Sequence, residues 1–353
     1  MESREGETVN DASENEPTDT PSDGITIGGS MPWFAAALLI EAENLDPDEI
    51  TRLLGIEPDQ VQRKGVASLP RDLQPRRVPW IGTWLISLMP EQAPGCDTNN
   101  IVAKLLDRIN VSPPVWHSAL VGARARIYLG LALDAWNRGF GFDPPLLRRL
   151  ADLGVLVDVD IHSGEGAAEA ARATDAVLSR VFNDDPGSEE AYSMSAPPQW
   201  PVGKPPAEVS AGPIRWFSMS LSIYADDLDP DKISRLLRVE PDLEQRKGVP
   251  MPSREGRLGR VPRLGMWSIN LYPEGAPGCD LESAITRVLN LITVPDEIWH
   301  QARSGTTARI FTGLSLDKSG LGFRLGPALL RRAADLDISM DFDVYYDIEE
   351  ETG

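Results

Sequence analysis

The chain carries the same long motif twice. Residues 45–65, LDPDEITRLLGIEPDQVQRKG, return as residues 228–248, LDPDKISRLLRVEPDLEQRKG, with 15 of 21 positions identical. The same spacing relates Trp84 to Trp267. A repeat of this length predicts two copies of one domain, each large enough to have its own hydrophobic core.

The repeats and the segments around them divide the chain into five parts. The N-terminal segment has no aromatic side chain and is rich in acidic and small polar residues, so it cannot bury enough apolar surface to become ordered. The stretch between the repeats is rich in Pro, Gly, Ser and acidic residues, which is typical of a linker. We predict a disordered acidic tail at 1–30, a first repeat at 31–162, a linker at 163–212 with a helix at 167–182, a second repeat at 213–346 and an acidic tail at 347–353.

The net charge of −20 belongs mainly to the tails and the linker. Because the repeats are near neutral, we interpret the acidity as favouring solubility rather than as attracting a basic partner. Cys96 and Cys279 lie one in each repeat, so neither repeat can close an internal disulfide. No apolar run approaches the ~20 residues of a membrane helix, and the N-terminal segment is acidic. These features predict a cytoplasmic protein with no membrane contact.

Alternating apolar and polar residues predict four half-buried strands in each repeat. In the first repeat they cover residues 33–42, 83–88, 126–134 and 155–161, and each has a counterpart in the second repeat. The last strand places its valines on one face and its aspartates on the other, because side chains alternate along a strand.

Three short helices are predicted between the strands. The first begins with Asp46 as N-cap and Pro47 as the first helical residue, and Gly55 can end it, although Arg238 stands at that position in the second repeat. The other two cover residues 101–109 and 146–153. The resulting fold class is α+β, with two homologous two-layer α/β sandwich domains, each a four-stranded sheet with helices packed on one face.

The sheet face that points away from the helices differs between the repeats. In the second repeat it carries mostly hydroxyl and charged side chains. In the first repeat the equivalent positions are apolar or aromatic: Ala35, Ala37, Leu39, Leu85, Tyr128 and Ala132. An exposed face of this kind is typical of an interface. We therefore predict a cover, either the helix at 167–182 or another protein.

The order of short motifs resembles a known domain family. Each repeat has an apolar strand, Leu-Asp-Pro-Asp, Glu-Pro-Asp, Arg-Lys-Gly, a Trp strand, Gly-Phe, Arg-Arg and a final Asp-x-Asp strand. In this order they resemble the bacterial domain of unknown function DUF4279, over about 33–162 and 216–346. The resemblance implies no activity and no catalytic residue.

A basic loop follows the first helix of each repeat. Guanidinium and ammonium groups beside flexible backbone are able to bind phosphate or carboxylate groups. The candidate ligand-binding residues are Arg63, Lys64, Arg76, Arg77, Arg246, Lys247, Arg260 and Arg263. The alternative is a solvated loop whose charges happen to cluster. No aromatic residues are interleaved with these cations, which argues against nucleic acid as the partner.

Two further kinds of residue pair are candidate sites. Cys96 with His117, repeated as Cys279 with His300, is the one pairing that offers a nucleophile and a base, although structural roles for both residues are the simpler interpretation. The Asp-x-Asp pairs supply two carboxylates where a Ca²⁺ or Mg²⁺ site needs about six oxygen ligands, so a solvated or arginine-paired face is favoured, with Arg126 and Arg309 as candidate partners.

The sequence contains no standard nucleotide, zinc or hydrolase motif. We therefore predict no catalytic residue, no metal and no cofactor. The leading functional hypothesis is a non-enzymatic cytoplasmic binding or regulatory protein, of immunity type or similar, with two like domains and a protein partner. The alternative is a binding protein or enzyme for a small anion that uses the Arg-Lys-Gly loops.

Overall fold

The structure is a computed structural model. It describes residues 29–30, 33–66, 78–88, 97–133, 137–163, 214–251, 261–271, 280–316 and 321–346. The predicted linker helix at 167–182, the tail at 347–353 and nearly all of the tail at 1–30 lie outside the described residues.

Thirteen strands and eight helices lie within the described residues. Those of the first half are β1 (Gly29–Ser30), β2 (Trp33–Ala42), α1 (Pro47–Leu54), β3 (Gln60–Gln62), β4 (Gly82–Leu88), α2 (Thr98–Asp107), α3 (Pro113–Ala119), β5 (Arg124–Leu133), β6 (Asn137–Phe142), α4 (Pro144–Asp152) and β7 (Leu156–Ser163). Those of the second half are β8 (Ile214–Ala225), α5 (Pro230–Leu237), β9 (Leu243–Gln245), β10 (Gly265–Leu271), α6 (Leu281–Leu289), α7 (Asp296–Ala302), β11 (Thr307–Leu316), β12 (Leu321–Leu325), α8 (Pro327–Asp335) and β13 (Ser339–Tyr346).

Helix α1 begins and ends where its capping residues predict. The Asp46 carboxylate accepts a hydrogen bond from the backbone amide of Asp48 at 3.1 Å, and Pro47 opens the helix. Gly55 ends the helix in the left-handed conformation with φ of 66°. Helix α5 ends in the same way with Arg238 at φ of 57°, where a side chain is strained.

The helices cover one face of each sheet, and the core lies between. The tryptophans of β4 and β10 point into it, and the indole nitrogen of Trp84 donates to the Thr51 hydroxyl at 3.1 Å. Trp116 is also fully buried and donates to the Leu153 carbonyl at 2.8 Å. Buried Val157 and Val159 of β7 confirm the predicted register of that strand.

The first sheet has the strand order β12-β7-β5-β2-β4-β3, and the second has β1-β6-β13-β11-β8-β10-β9. In the first sheet β2 is antiparallel to both of its neighbours, β4 and β5, while β5 and β7 are parallel. The second sheet repeats this arrangement with β8, β10, β11 and β13.

The two repeats exchange one strand with each other. Strand β6 belongs to the first repeat but pairs antiparallel with β13 of the second repeat. Strand β12 of the second repeat pairs antiparallel with β7 of the first. Each sheet therefore contains strands of both repeats, and β5 and β6, which are consecutive in the chain, lie in different sheets.

Aromatic packing holds the exchanged strands together. Phe140 of β6 stacks on Phe342 of β13 with ring centroids 4.9 Å apart, and on Phe323 of β12 at 6.4 Å. Helices α4 and α8 pack against each other between the repeats, with matching ion pairs at both ends. Arg148 contacts Asp335 at 3.0 Å, and its counterpart Arg331 contacts Asp152 at 2.5 Å.

The α+β class with two homologous domains is confirmed, but each sheet has more strands than the four predicted. The first has six strands and the second has seven. The additional strands are the short β3 and β9, the two-residue β1 and the exchanged β6 and β12. Helices α3 and α7 were also not predicted as separate elements. Among the described helices none is long and apolar enough to span a membrane.

Candidate functional site

Most of the buried polar side chains lie on the two sheet faces that point away from the helices. We call the face of the first sheet the first outer face and that of the second sheet the second outer face. The Asp-x-Asp pairs lie here, because Val157 and Val159 on either side of Asp158 point into the core. The prediction that Asp158 pairs with Arg126 and Asp341 with Arg309 is confirmed, at 3.8 Å and 3.6 Å.

The second aspartate of each pair lies between two glycines on the neighbouring strands. Asp160 is in register with Gly130 of β5 and Gly322 of β12. Asp343 is in register with Gly313 of β11 and Gly139 of β6. One of the two glycines beside each aspartate comes from the other repeat. The strand exchange therefore completes the surroundings of both aspartates. Both aspartates are buried.

On the first outer face the charges neutralise each other. Arg324, from the exchanged strand β12, donates to both carboxylate oxygens of Asp158, with distances of 2.5 and 3.2 Å. Arg126 contacts Asp158 and also donates to Glu41, which is buried. Burial opposes the charge of Arg126, yet Tyr128, Glu41 and Asp158 together raise its pKa above the ordinary value.

Glu41 and Arg324 of the first outer face have no charged counterpart on the second outer face. Tyr224 stands where the first repeat has Glu41, and Gly141 of β6 stands where β12 has Arg324. Arg309 contacts Asp341 and lies over the rings of Tyr224 and Phe311, at 5.2 and 5.7 Å from their centroids. This face therefore has two aspartates and one arginine.

The environment of Asp341 is correspondingly more open than that of Asp158. The Asp341 side chain is 37% exposed, whereas that of Asp158 is 14% exposed. Burial raises the pKa of Asp341 above its ordinary value, Arg309 opposes the shift, and Asp343 adds to it. The carboxylate thus has less stabilisation from its neighbours than a fully paired aspartate would have.

A second polar group adjoins Asp343. The Tyr345 hydroxyl donates to the Asp343 carboxylate at 3.4 Å, and burial together with the Asp343 charge raises the pKa of Tyr345. Asn137 of β6 is in register with Tyr345. Its side chain is buried, and within the described part of the chain its Oδ1 atom has no hydrogen-bond partner.

The remaining part of the first outer face is apolar, as predicted. Leu39 and Leu85 are fully buried there and form a small cluster with Ala37 and Tyr128, separate from the main core. Their strand register is therefore as predicted, since they do not point into the main core. The predicted cover at 167–182 lies outside the described residues. On the second outer face the equivalent Ser222 and Ser268 share a hydrogen bond of 2.9 Å.

The Arg-Lys-Gly loops place their cations against carboxylates. Arg63 contacts Asp46 at 3.1 Å and Asp48 at 2.6 Å, and Lys64 donates to Glu43. These pairs raise the pKa of Arg63 and lower the pKa of Glu43.

The second repeat has the same arrangement. Arg246 contacts Asp229 at 3.3 Å and Asp231 at 2.7 Å, and Lys247 donates to Asp226. These carboxylates offset the charge that the anion-binding hypothesis requires.

That hypothesis stays a prediction. Arg263 is exposed, while Arg76, Arg77 and Arg260 lie outside the described residues.

The proposed cysteine and histidine pairing is only partly described. Cys96 and Cys279 lie outside the described residues. His117 and His300 are exposed in helices α3 and α7, and the Nδ1 atom of His117 lies 2.7 Å from the Pro113 carbonyl oxygen. Across the described ranges no group of three or more His, Cys, Asp or Glu side chains is arranged to hold a metal ion.

Sequence reasoning found the aspartates and their first arginines but missed Arg324, Gly141 and Asn137. All three lie on exchanged strands, and their neighbours come from the other repeat. A usable signal was present, since Phe140 and Phe142 alternate with Gly139 and Gly141 in the way that strand residues do. Their partner strand cannot be read from that alternation.

The comparison with protein families gives two matches. The model of the domain of unknown function DUF4279 matches residues 32–164 and again residues 215–347, which together are most of the chain. The chain belongs to the DUF4279 family. No curated protein matches it. The family carries no assigned activity, so the DUF4279 repeats have to be interpreted from their own geometry.

Proposed function

We propose that this tandem DUF4279 protein is a non-enzymatic binding or regulatory protein, and that the second outer face is its recognition surface. The observation that carries the proposal is the difference between two faces built on the same backbone. The first outer face pairs its arginines with carboxylates of the same face and buries its leucines. The second presents the half-exposed Asp341 beside serine and aromatic side chains.

A protein is the leading partner. The second outer face mixes hydroxyl, aromatic and charged groups, a combination that suits a wet protein interface better than a deep small-molecule cavity. A cytoplasmic location and an immunity-type role are part of this proposal. The location is supported by the distribution of one cysteine to each repeat, which leaves no pair for a disulfide within a repeat.

The test compares capture by three forms of the full chain. The wild-type protein, a Ser220→Trp variant and a Val121→Arg variant are immobilised and exposed to an extract of the source cell. Ser220 lies on the second outer face between Asn270 and Phe311, whereas Val121 is 82% exposed in the turn after α3. We expect a partner, identified by mass spectrometry, that the wild type and the Val121 variant retain and the Ser220 variant loses. Equal retention by all three forms would contradict the proposed surface.

A further inference from the structure

The second outer face lacks a cation at a position where the first outer face has one. On the first face, the guanidinium of Arg324 reaches Asp158 from the exchanged strand and donates to both of its oxygens. On the second face, the residue in register with Asp341 on the exchanged strand is Gly141. The aspartate is present in both repeats, but its bidentate partner is present in only one.

The local geometry leaves Asp341 accessible from that side. A Cβ atom built on Gly141 would lie 2.5 Å from Oδ1 of Asp341, so the carboxylate leans over the glycine into the volume that a side chain would need. The exposed fraction of Asp341 is more than twice that of Asp158. A donor from outside the chain can therefore approach the carboxylate where Arg324 approaches Asp158.

Two carboxylates and one amide lie along this part of the second outer face. Asp341 and Asp343 project from the same side of β13, and Asn137 lies on the neighbouring strand beside Tyr345. Asn137 is only 7% exposed and its side chain is hydrogen-bonded to Tyr345, so it lies below the surface that a ligand can reach. The accessible carboxylate is Asp341, and it favours a ligand rich in N–H groups because charge-assisted hydrogen bonds to carboxylates are strong.

The charge and shape of the face also favour a planar cation. Two aspartates face one arginine, so the local charge is negative, and the net charge of −20 attracts cations over a longer range. Phe311 is in register with Asp341 on the adjacent strand and supplies aromatic surface for stacking. A divalent metal fits less well, since it requires about six oxygen ligands.

We propose that the second outer face binds a guanidinium group, which occupies the position that the Arg324 guanidinium holds on the first face. The group donates bidentately to Asp341, the accessible carboxylate of the face. The first face cannot bind such a ligand, because Arg324 already fills its equivalent position. This inference rests on the proposed recognition surface and names the chemistry that the surface recognises.

The test is calorimetric titration of the full chain with methylguanidinium. We expect one saturable site per chain within a range up to about 20 mM, because a ligand with few atoms binds weakly even when well oriented. Asp341→Asn should weaken binding about tenfold or more, since it removes a charge-assisted bidentate contact. Asp158→Asn on the first face is the matched control and should leave binding at the second face unchanged.

A gain-of-site variant makes the test independent of lost folding. Arg324→Ala should empty the equivalent position on the first face and raise the stoichiometry from one site to two. The proposal is overturned if methylguanidinium shows no saturable binding, if Mg²⁺, Ca²⁺ or methylammonium binds as tightly, or if Arg324→Ala folds and keeps a stoichiometry of one. Thermal denaturation of each variant shows whether it is folded.

A second titration identifies the source of the group. If N-acetyl-arginine amide binds tighter than methylguanidinium, the natural source is an arginine side chain of a protein partner. Equal or weaker binding of the amide indicates a free small cation instead. The cell-extract capture is separate, because a partner lost on Ser220→Trp can be found even when methylguanidinium does not bind.

Discussion

The two outer faces have the same backbone and opposite surfaces. Both sheets place an Asp-x-Asp pair, an arginine and flanking glycines at equivalent positions. The first face then adds Glu41, Arg324 and two buried leucines, and the second has Tyr224, Gly141 and two serines in their places. One face of the duplicated fold has become structural while the other has kept accessible polar groups. Duplication lets the two copies divide these roles without a change in fold.

The largest effect should come from the apolar part of the first face. Leu39→Ala removes a fully buried side chain and should lower the free energy of unfolding by about 2–5 kcal/mol. The counterpart Ser222→Ala loses one hydrogen bond with Ser268 and should cost about 1 kcal/mol. Urea denaturation of both variants measures the difference. Equal losses would mean that both outer faces contribute equally to stability, which would contradict the proposed difference between them.

The next effect concerns the aspartates. Asp158→Asn leaves Arg126, which is buried, and Arg324 without their shared carboxylate, and should cost about 2–3 kcal/mol at neutral pH. Asp341→Asn removes the partner of a single arginine at 3.6 Å and should cost clearly less. The measurement is again the denaturation midpoint. A larger loss for Asp341→Asn would show that the second face depends on its carboxylate for stability.

A smaller effect tests whether the repeats also differ away from the outer faces. Arg238 ends α5 at a positive φ where the first repeat has Gly55. Arg238→Gly should raise the free energy of unfolding by about 0.5–1 kcal/mol, because glycine adopts this conformation without strain. Gly55→Ala is the reciprocal control and should lower it. If Arg238→Gly destabilises the protein, the arginine side chain makes a compensating contact.

The smallest effect is a change in pH dependence. Since burial raises the pKa of Asp341 in the folded state, its contribution to stability is complete below the unfolded pKa of about 3.9 and is lost as the pH rises through the folded pKa. The free energy of unfolding of Asp341→Asn, taken relative to the wild type, should therefore rise as the pH goes from acidic to neutral, which offsets part of the cost of the lost Arg309 contact. Parallel thermal melts across this range measure the gain. A relative loss over the same interval would reverse the assigned direction of the shift.

Local patterns predicted most elements of each repeat. Asp46, Pro47 and Gly55 fix the ends of α1 through caps that involve only neighbouring residues. Alternation in β2, β4, β5 and β7 identified the core face of each strand. Comparison of equivalent positions in the two repeats identified the contrast between the outer faces. The partners of Asp158 and Asp341 within their own repeat followed from the same alternation.

The exchanged strands could not be predicted in this way. Strand β6 is short and glycine-rich, and its hydrogen-bond partner β13 lies in the other repeat. Alternation assigns a residue to a face but does not say which sheet receives the strand. For this reason Arg324 and Asn137 were not identified as neighbours of Asp158 and Asp343.

By itself, the sequence determined that the chain is a duplicated α+β protein, where the first helix of each repeat begins, and which side chains face the cores, because these properties depend on caps and on periods of a few residues. Only the tertiary structure decided that the repeats exchange β6 and β12. Pairing between strands that are distant in the chain depends on the geometry of both sheets together, and that pairing brings Arg324 to Asp158 and leaves Gly141 beside Asp341.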